Sequence, residues 1–155
     1  MIGIKDQNFG VEIELTGLTR RDAARALADY FGTEPRYSGD YYGSWFVPDG
    51  TGREWRLMSD SSIRTECKDG DHYVRANDTD YAVEMVTPVL TYADMPQFQE
   101  CIRTIRRAGG KVNNSCGLHC HIDAANHNRQ SLKNLLSIMY SKEDILFKDL
   151  QVNEQ

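Results

Sequence analysis

No apolar run in this 155-residue sequence approaches the roughly 20 residues that a membrane-spanning helix needs. The N-terminus shows neither an apolar leader nor a myristoylation pattern, so membrane attachment is not expected. Cysteine is scarce. Cys67, Cys101, Cys116 and Cys120 are too few for a disulfide framework in a chain of this length, and they read as reduced thiols of a cytoplasmic protein. Positive charge is also short, with 18 Lys and Arg against 23 Asp and Glu and a net charge of -5. The two signs are interspersed, so no basic surface is available to neutralise a phosphate backbone, and nucleic acid is not an expected partner. Repeats and low-complexity tracts are missing as well. With 40% apolar residues, the sequence reads as one domain over residues 1–155.

Periodicity supplies the elements. Phe9 to Leu15 alternates, with Val11, Ile13 and Leu15 on one side and Glu12 and Glu14 on the other, which predicts a strand with one apolar face. Apolar residues at helical spacing from Arg21 to Phe31 predict a helix, with Thr19 as cap, Asp22 three residues on, and Gly32 as terminator. Residues 34–52 are aromatic and turn-rich and read as irregular, with a short strand through Tyr41 to Val47. Strands are expected over Arg53 to Met58 and Tyr81 to Leu90, separated by a polar hairpin or loop from Asp69 to Asp80. Asp94 and Pro96 open a second helix that Gly109 and Gly110 close. A strand from Gly117 to Asp123 and an amphipathic helix from Asn128 to Leu150 complete the pattern. Strands outnumber helices and do not follow a βαβ rhythm. The expected class is therefore α+β, an antiparallel sheet with helices packed on one face.

Side chains two apart on a strand point the same way, so Glu12 and Glu14 could share a cation, as could His119 and His121. The plainer alternative is the solvated face of a half-buried strand. Asn113, Asn114, Ser115 and Gly117 precede the histidines and offer small polar groups and a backbone open to close approach. Glu84 is a lone acid among Val83, Met85, Val86 and Val89, an odd place for a carboxylate unless its face lines a site or an edge. Asp60, Ser61 and Ser62 read as a turn that could also contact a ligand. Arg103, Arg106 and Arg107 read as a solvated helix face.

In order, the chain shows Phe9-Gly10-Val11-Glu12-Ile13-Glu14, then Trp55 and Asp60-Ser61-Ser62-Ile63, then Glu84-Met85-Val86-Thr87-Pro88, then Gly117-Leu118-His119-Cys120-His121. This series resembles the amidoligase family of the glutamine-synthetase-like carboxylate-amine ligases. The last segment is also similar to the histidine strand of glutamine synthetases, and the first to their Glu-x-Glu metal strand. The resemblance implies a glutamine-synthetase-like core that forms amides from a small-molecule or peptide carboxylate and an amine. It implies ATP and Mg²⁺ or Mn²⁺, with an acyl phosphate between the two steps. Glu12, Glu14, Glu84 and His119 would hold the metals. Glu14, Glu84 and His121 would serve catalysis. His121, Asn114, Gly117, Asp60 and Ser62 would contact nucleotide or substrate.

Two departures qualify what the resemblance implies. Family members continue past the last helix to a Glu-Phe-Arg-like strand, and nothing between Leu150 and Gln155 matches it, so a truncated core with weak or no ligase turnover is expected. Ser115 stands where glutamine synthetases have Gly, so no particular acid is implied. A zinc protein using Cys116, His119, Cys120 and His121 is an alternative, as is a relic that binds nucleotide or metal without turnover. A homo-oligomer is compatible with the sequence.

Overall fold

Apolar and acidic side chains alternate along β1 (Phe9–Leu15), and this alternation is what fixes the strand in place. Val11 and Leu15 are buried on one side, while Glu12 and Glu14 project from the other. A computed structural model of the chain describes residues 3–150, and its contacts divide it into two compact units, one ending at Ile122 and the other beginning at Asp123.

In the first unit β1 is followed by α1 (Arg20–Phe31), β2 (Arg36–Tyr37), β3 (Trp45–Pro48), β4 (Glu54–Met58), β5 (Glu66–Asp69), β6 (His72–Arg75), β7 (Val83–Val86), α2 (Met95–Arg107) and β8 (Leu118–Ile122). Six of these strands form one sheet in the order β2-β3-β4-β7-β1-β8, with every neighbouring pair antiparallel. The fold is α+β, with helices packed on an antiparallel sheet as the sequence predicts. Val11, Leu15, Val47, Trp55, Leu57, Val83 and Met85 from the sheet meet Ala23, Ala24 and Leu27 of α1 and Phe98, Cys101 and Ile105 of α2 in one core. Trp55 is fully buried at its centre, with the Phe98 ring 6.4 Å away and the Phe31 ring 5.8 Å away. The burial of Cys101 in this core pushes its thiol up to about 12.

The helix ends follow their sequence signals. The Thr19 hydroxyl accepts from Asp22 N–H at the start of α1, and Gly32 ends it at φ 69°. Pro96 lies in the first turn of α2, and Asp94 is its N-cap residue, but the Asp94 side chain makes no cap hydrogen bond; its carboxylate accepts instead from Thr91 N–H and Oγ1 at the preceding 3₁₀ turn. Arg103 and Arg107 pair with Glu100 on the outer face.

Three strand expectations need correction. The strand expected over Tyr41 to Val47 starts only at Trp45, because Asp40 to Ser44 is a turn: Gly43 sits at φ 57° and the Asp40 carboxylate accepts from Ser44 N–H at 3.0 Å. The strand expected over Tyr81 to Leu90 is confined to Val83–Val86, cut short by a 3₁₀ turn over Thr79–Tyr81 and by the Thr87-Pro88 exit. The polar segment at 69–80 does hold a hairpin, yet its first strand begins three residues earlier at Glu66. The hairpin is fastened to the end of β1 by Glu66 N–H donating to Thr16 Oγ1 at 2.8 Å and Gly17 N–H donating to Glu66 O at 3.0 Å. Gly17 is required there. A Cβ would lie 2.5 Å from Gly109 O, and φ is 92°.

The second unit holds α3 (Arg129–Leu150). Its start is fixed by reciprocal bonds, Ser131 N–H to Asn128 Oδ1 at 2.9 Å and Asn128 N–H to Ser131 Oγ at 2.8 Å, in agreement with the predicted boundary. Among the described residues no helix is long and apolar enough to cross a membrane.

Candidate metal centre

The sheet register decides which side chains meet. Glu14 stands opposite Glu84, Glu12 opposite Val86 and His119, and Gly10 opposite His121. With a side-chain period of two, Glu12, Glu14, Glu84, His119 and His121 share the face of the sheet away from α1 and α2. Three strands distant in sequence are needed to assemble this group.

Two sets of potential ligand atoms result, Glu12 with Glu84 and His119, and Glu14 with Asp60 and Glu84, each set lying within 4.8 Å of one another. Ligand atoms about 2.0–2.4 Å from a common cation stand about 3–4.8 Å apart, from cis to trans, so the separations in both sets are within the reach of one divalent ion. Glu84 belongs to both and could bridge them. Four carboxylates and an imidazole form a hard donor set of the kind that suits Mg²⁺ or Mn²⁺.

The electrostatics point the same way. Among the described residues, no Lys or Arg forms an ion pair with Glu12, Glu14, Asp60 or Glu84. Burial raises the Glu84 pKa above its ordinary value, and the charges of Glu12, Asp60 and Glu14 raise it further. Burial also pushes Glu12 upward, but its hydrogen bonds to His119 and His121 together outweigh this and hold it below the usual range. A half-buried group of acids whose partners among the described residues are imidazoles and backbone amides, with no Lys or Arg, is a site short of positive charge.

Glu12 meets one imidazole with each oxygen, His119 Nδ1 at 3.1 Å from Oε2 and His121 Nε2 at 3.2 Å from Oε1. A proton on His119 Nδ1 leaves Nε2 with its lone pair free for a metal, the arrangement by which carboxylates orient histidine ligands. Glu14 is buried and held on both sides by Gly117: Gly117 N–H donates to Glu14 Oε2 at 2.7 Å, and Glu14 N–H donates to Gly117 O at 3.1 Å. A Cβ on Gly117 would stand 3.4 Å from both Glu14 Oε1 and His119 Nε2. The missing side chain therefore keeps open the space between two candidate ligands.

The other sequence candidates are placed differently. Asp60, expected to contact nucleotide, joins the carboxylate group, while its Oδ1 also accepts from Ser62 N–H at 2.7 Å. Ser62 remains on that exposed turn. Asn114 is exposed, whereas its neighbour Asn113 is tied into the fold: Nδ2 donates to Arg64 O at 2.9 Å and Oδ1 accepts from Ser115 Oγ at 2.7 Å. Cys120 pairs with Val11 and so faces away from both histidines, and no cysteine belongs to a potential metal group among the described residues. The Cys116 thiol is raised by burial and lies 3.6 Å from Asn113 Oδ1. The extended strand thus takes apart the ligand set of a Cys/His zinc site. Sequence reasoning missed two contributors: Asp60 as a member of the acid cluster and the Gly117 amide as the partner of Glu14. The first depends on a contact across 46 residues that no local pattern signals.

Residues 5–155 match the model of a protein family described as "Putative amidoligase enzyme". No curated protein and no solved structure matches the chain.

Proposed function

The chain belongs to the amidoligase family, and on that premise we propose that it joins a carboxylate to an amine with ATP, using divalent cations held by Glu12, Glu14, Glu84, Asp60 and His119. The observation that carries the reading is the uncompensated acid cluster on one sheet face, two ligand sets sharing Glu84. In the reaction, a substrate carboxylate attacks the γ-phosphorus of ATP to give an acyl phosphate and ADP. An amine then attacks the acyl carbon and expels phosphate, losing a proton to give the amide. When bound, the cations neutralise charge on the phosphate oxygens.

The chain's own residues position the reactants. Gly117 N–H fixes the Glu14 carboxylate, and Glu12 fixes the His119 ring through Nδ1. His121 lies on the same face two residues along and is assigned to a phosphate oxygen of the nucleotide. Asn114, exposed on the turn before β8, is assigned to the substrate. In this reading residues 1–155 form the N-terminal part of a glutamine-synthetase-like core.

The test is release of ADP with Mg²⁺ or Mn²⁺ across a panel of carboxylates and amines, with amide product identified by mass. Turnover is expected to need both substrates and a divalent cation and to be lost in Glu14→Ala. Amide formation that persists in Glu14→Ala or in the presence of excess chelator would overturn the proposal.

A further inference from the structure

The face that carries the acid cluster continues across the sheet to a cation. In one register row, Arg36 stands opposite Phe46, Phe46 opposite Arg56, Arg56 opposite Val86, Val86 opposite Glu12, and Glu12 opposite His119. Arg56 and Glu12 are therefore separated by the single strand β7, about 10 Å between backbones at the usual strand spacing. Val86 forms an uncharged floor between them.

Arg56 is held as a binding group is held. Its guanidinium lies 5.7 Å from the Phe46 ring centroid and 6.0 Å from that of Tyr42, so aromatic rings support it. Nε and Nη2 both donate to Ser44 Oγ, at 3.2 and 3.1 Å, and Ser44 is fully buried. A buried hydroxyl thus fixes the plane of a side chain that remains 35% exposed. Asp40 Oδ2 forms a long ion pair with Arg56 Nη2 at 3.8 Å, beyond hydrogen-bond range, while the other Asp40 oxygen, Oδ1, accepts from Ser44 N–H. Arg20 and Arg53, by contrast, hydrogen-bond carboxylates directly. A preoriented, half-exposed guanidinium without a hydrogen-bonded acid is suited to a planar anion.

We propose that Arg56 recognises a second carboxylate on the acid substrate, one remote from the carboxylate that reacts, so that the site selects dicarboxylic acids. This rests on the ligase reading above. The reacting carboxylate is placed at the acid cluster, and the row Glu12–Val86–Arg56 sets the span to the second one. Arg36, whose guanidinium lies 4.8 Å from the Phe46 ring centroid and hydrogen-bonds Glu54 at 3.2 Å, supports the outer side of the same ring.

The experiment titrates Mn²⁺-loaded protein calorimetrically with succinate, glutarate and adipate, each against the monocarboxylate of the same chain length, and separately with a non-hydrolysable ATP analogue. At least one dicarboxylate is expected to bind 10-fold or more tightly than its monocarboxylate. Arg56→Gln is expected to erase that difference and Arg56→Lys to restore part of it, with Mn²⁺ and nucleotide affinities kept within twofold. Equal binding of dicarboxylates and monocarboxylates by the wild-type protein overturns the proposal without any variant. So does a variant that weakens the nucleotide analogue while keeping the dicarboxylate preference, which would assign Arg56 to phosphate. A wild-type protein that binds no Mn²⁺ refutes the cation reading and this inference with it. One that binds Mn²⁺ but does not discriminate refutes only this inference.

Discussion

Replacing Glu84 by glutamine should move two observables in opposite directions. Glu84 belongs to both potential ligand sets, whose atoms lie within 4.8 Å of one another. Two unit charges at that spacing repel by about 0.9 kcal/mol at the permittivity of water and about 3.5 kcal/mol at an effective value of ~20. Glu84 is only partly buried, so screening favours the lower figure, and loss of its charge should stabilise the metal-free protein by about 1 kcal/mol. That corresponds to a rise in Tm of roughly 3–4 °C for a chain of this size. The sign follows from linkage. The folded-state pKa of Glu84 is raised above its ordinary 4.5, first by burial and then by its acidic neighbours. The native state therefore binds more protons, and this contribution to stability is present below pH 4.5 and lost as pH rises through the raised value. Glu84→Gln removes that decline. With Mn²⁺ the order reverses: at 100 times its Kd, a ligand adds about 2.7 kcal/mol to the wild-type protein. The variant, deprived of the bridging carboxylate, should gain less than half of this. Thermal melts between pH 5 and 8, with and without Mn²⁺, measure both effects. A metal-free variant less stable than wild type, or an equal gain from Mn²⁺ in both proteins, would refute the reasoning.

Asp94 is held at about 2, chiefly by its hydrogen bond from Arg53 and also by Thr91. Its contribution is complete above the ordinary 3.8 and lost as pH falls toward 2, so Asp94→Asn should cost about 2 kcal/mol at pH 7, with a shallower acid limb in denaturant titrations. Gly117→Ala should leave the melting temperature within a few degrees, because the position has an ordinary φ, while its methyl group 3.4 Å from Glu14 Oε1 and His119 Nε2 lowers Mn²⁺ affinity about 10-fold or more. Unchanged affinity in that variant would show that the gap is not needed. Cys116→Ser and Cys120→Ser should bind Mn²⁺ as wild type does; loss of metal in either would restore a thiolate centre.

Elements whose burial follows one clear period were legible in the sequence. β1, α1, β8 and α3 begin and end within a residue or so of their predicted limits, because alternation or helical spacing is bounded by a cap or a turn. The region from Glu34 to Gly52 was not legible, since Tyr41 and Tyr42 have strand propensity but occupy a turn ordered by Asp40, Gly43 and Ser44. The site divides along the same line. Parity alone placed Glu12 with Glu14 and His119 with His121, whereas the sheet register brought these pairs and Glu84 together. Asp60 and Arg56 carry no local mark of their positions. Asp60 reads as a turn residue and serves as one, and its second role depends on where the turn after β4 falls against β7 and β1.

Under the proposed cation reading, the strand order makes metal binding and sheet integrity a single problem. β1 is flanked by β7 and β8, so the carboxylates of Glu12 and Glu14 face residues 70 or more positions away on both sides. Among the described residues β8 pairs only with β1, and it is exposed along its length, so little apolar burial holds it. Its polar side is instead tied by His119 and His121 to Glu12 and by the Gly117 amide to Glu14. In the metal-free protein these bonds satisfy two acids that would otherwise repel each other and Glu84. A cation set between Glu12, Glu84 and His119 would join β1, β7 and β8 through one ion, replacing repulsion across the sheet with attraction. The same carboxylates that weaken the sheet without metal would then strengthen it with metal, and the edge strand bearing the histidines gains most.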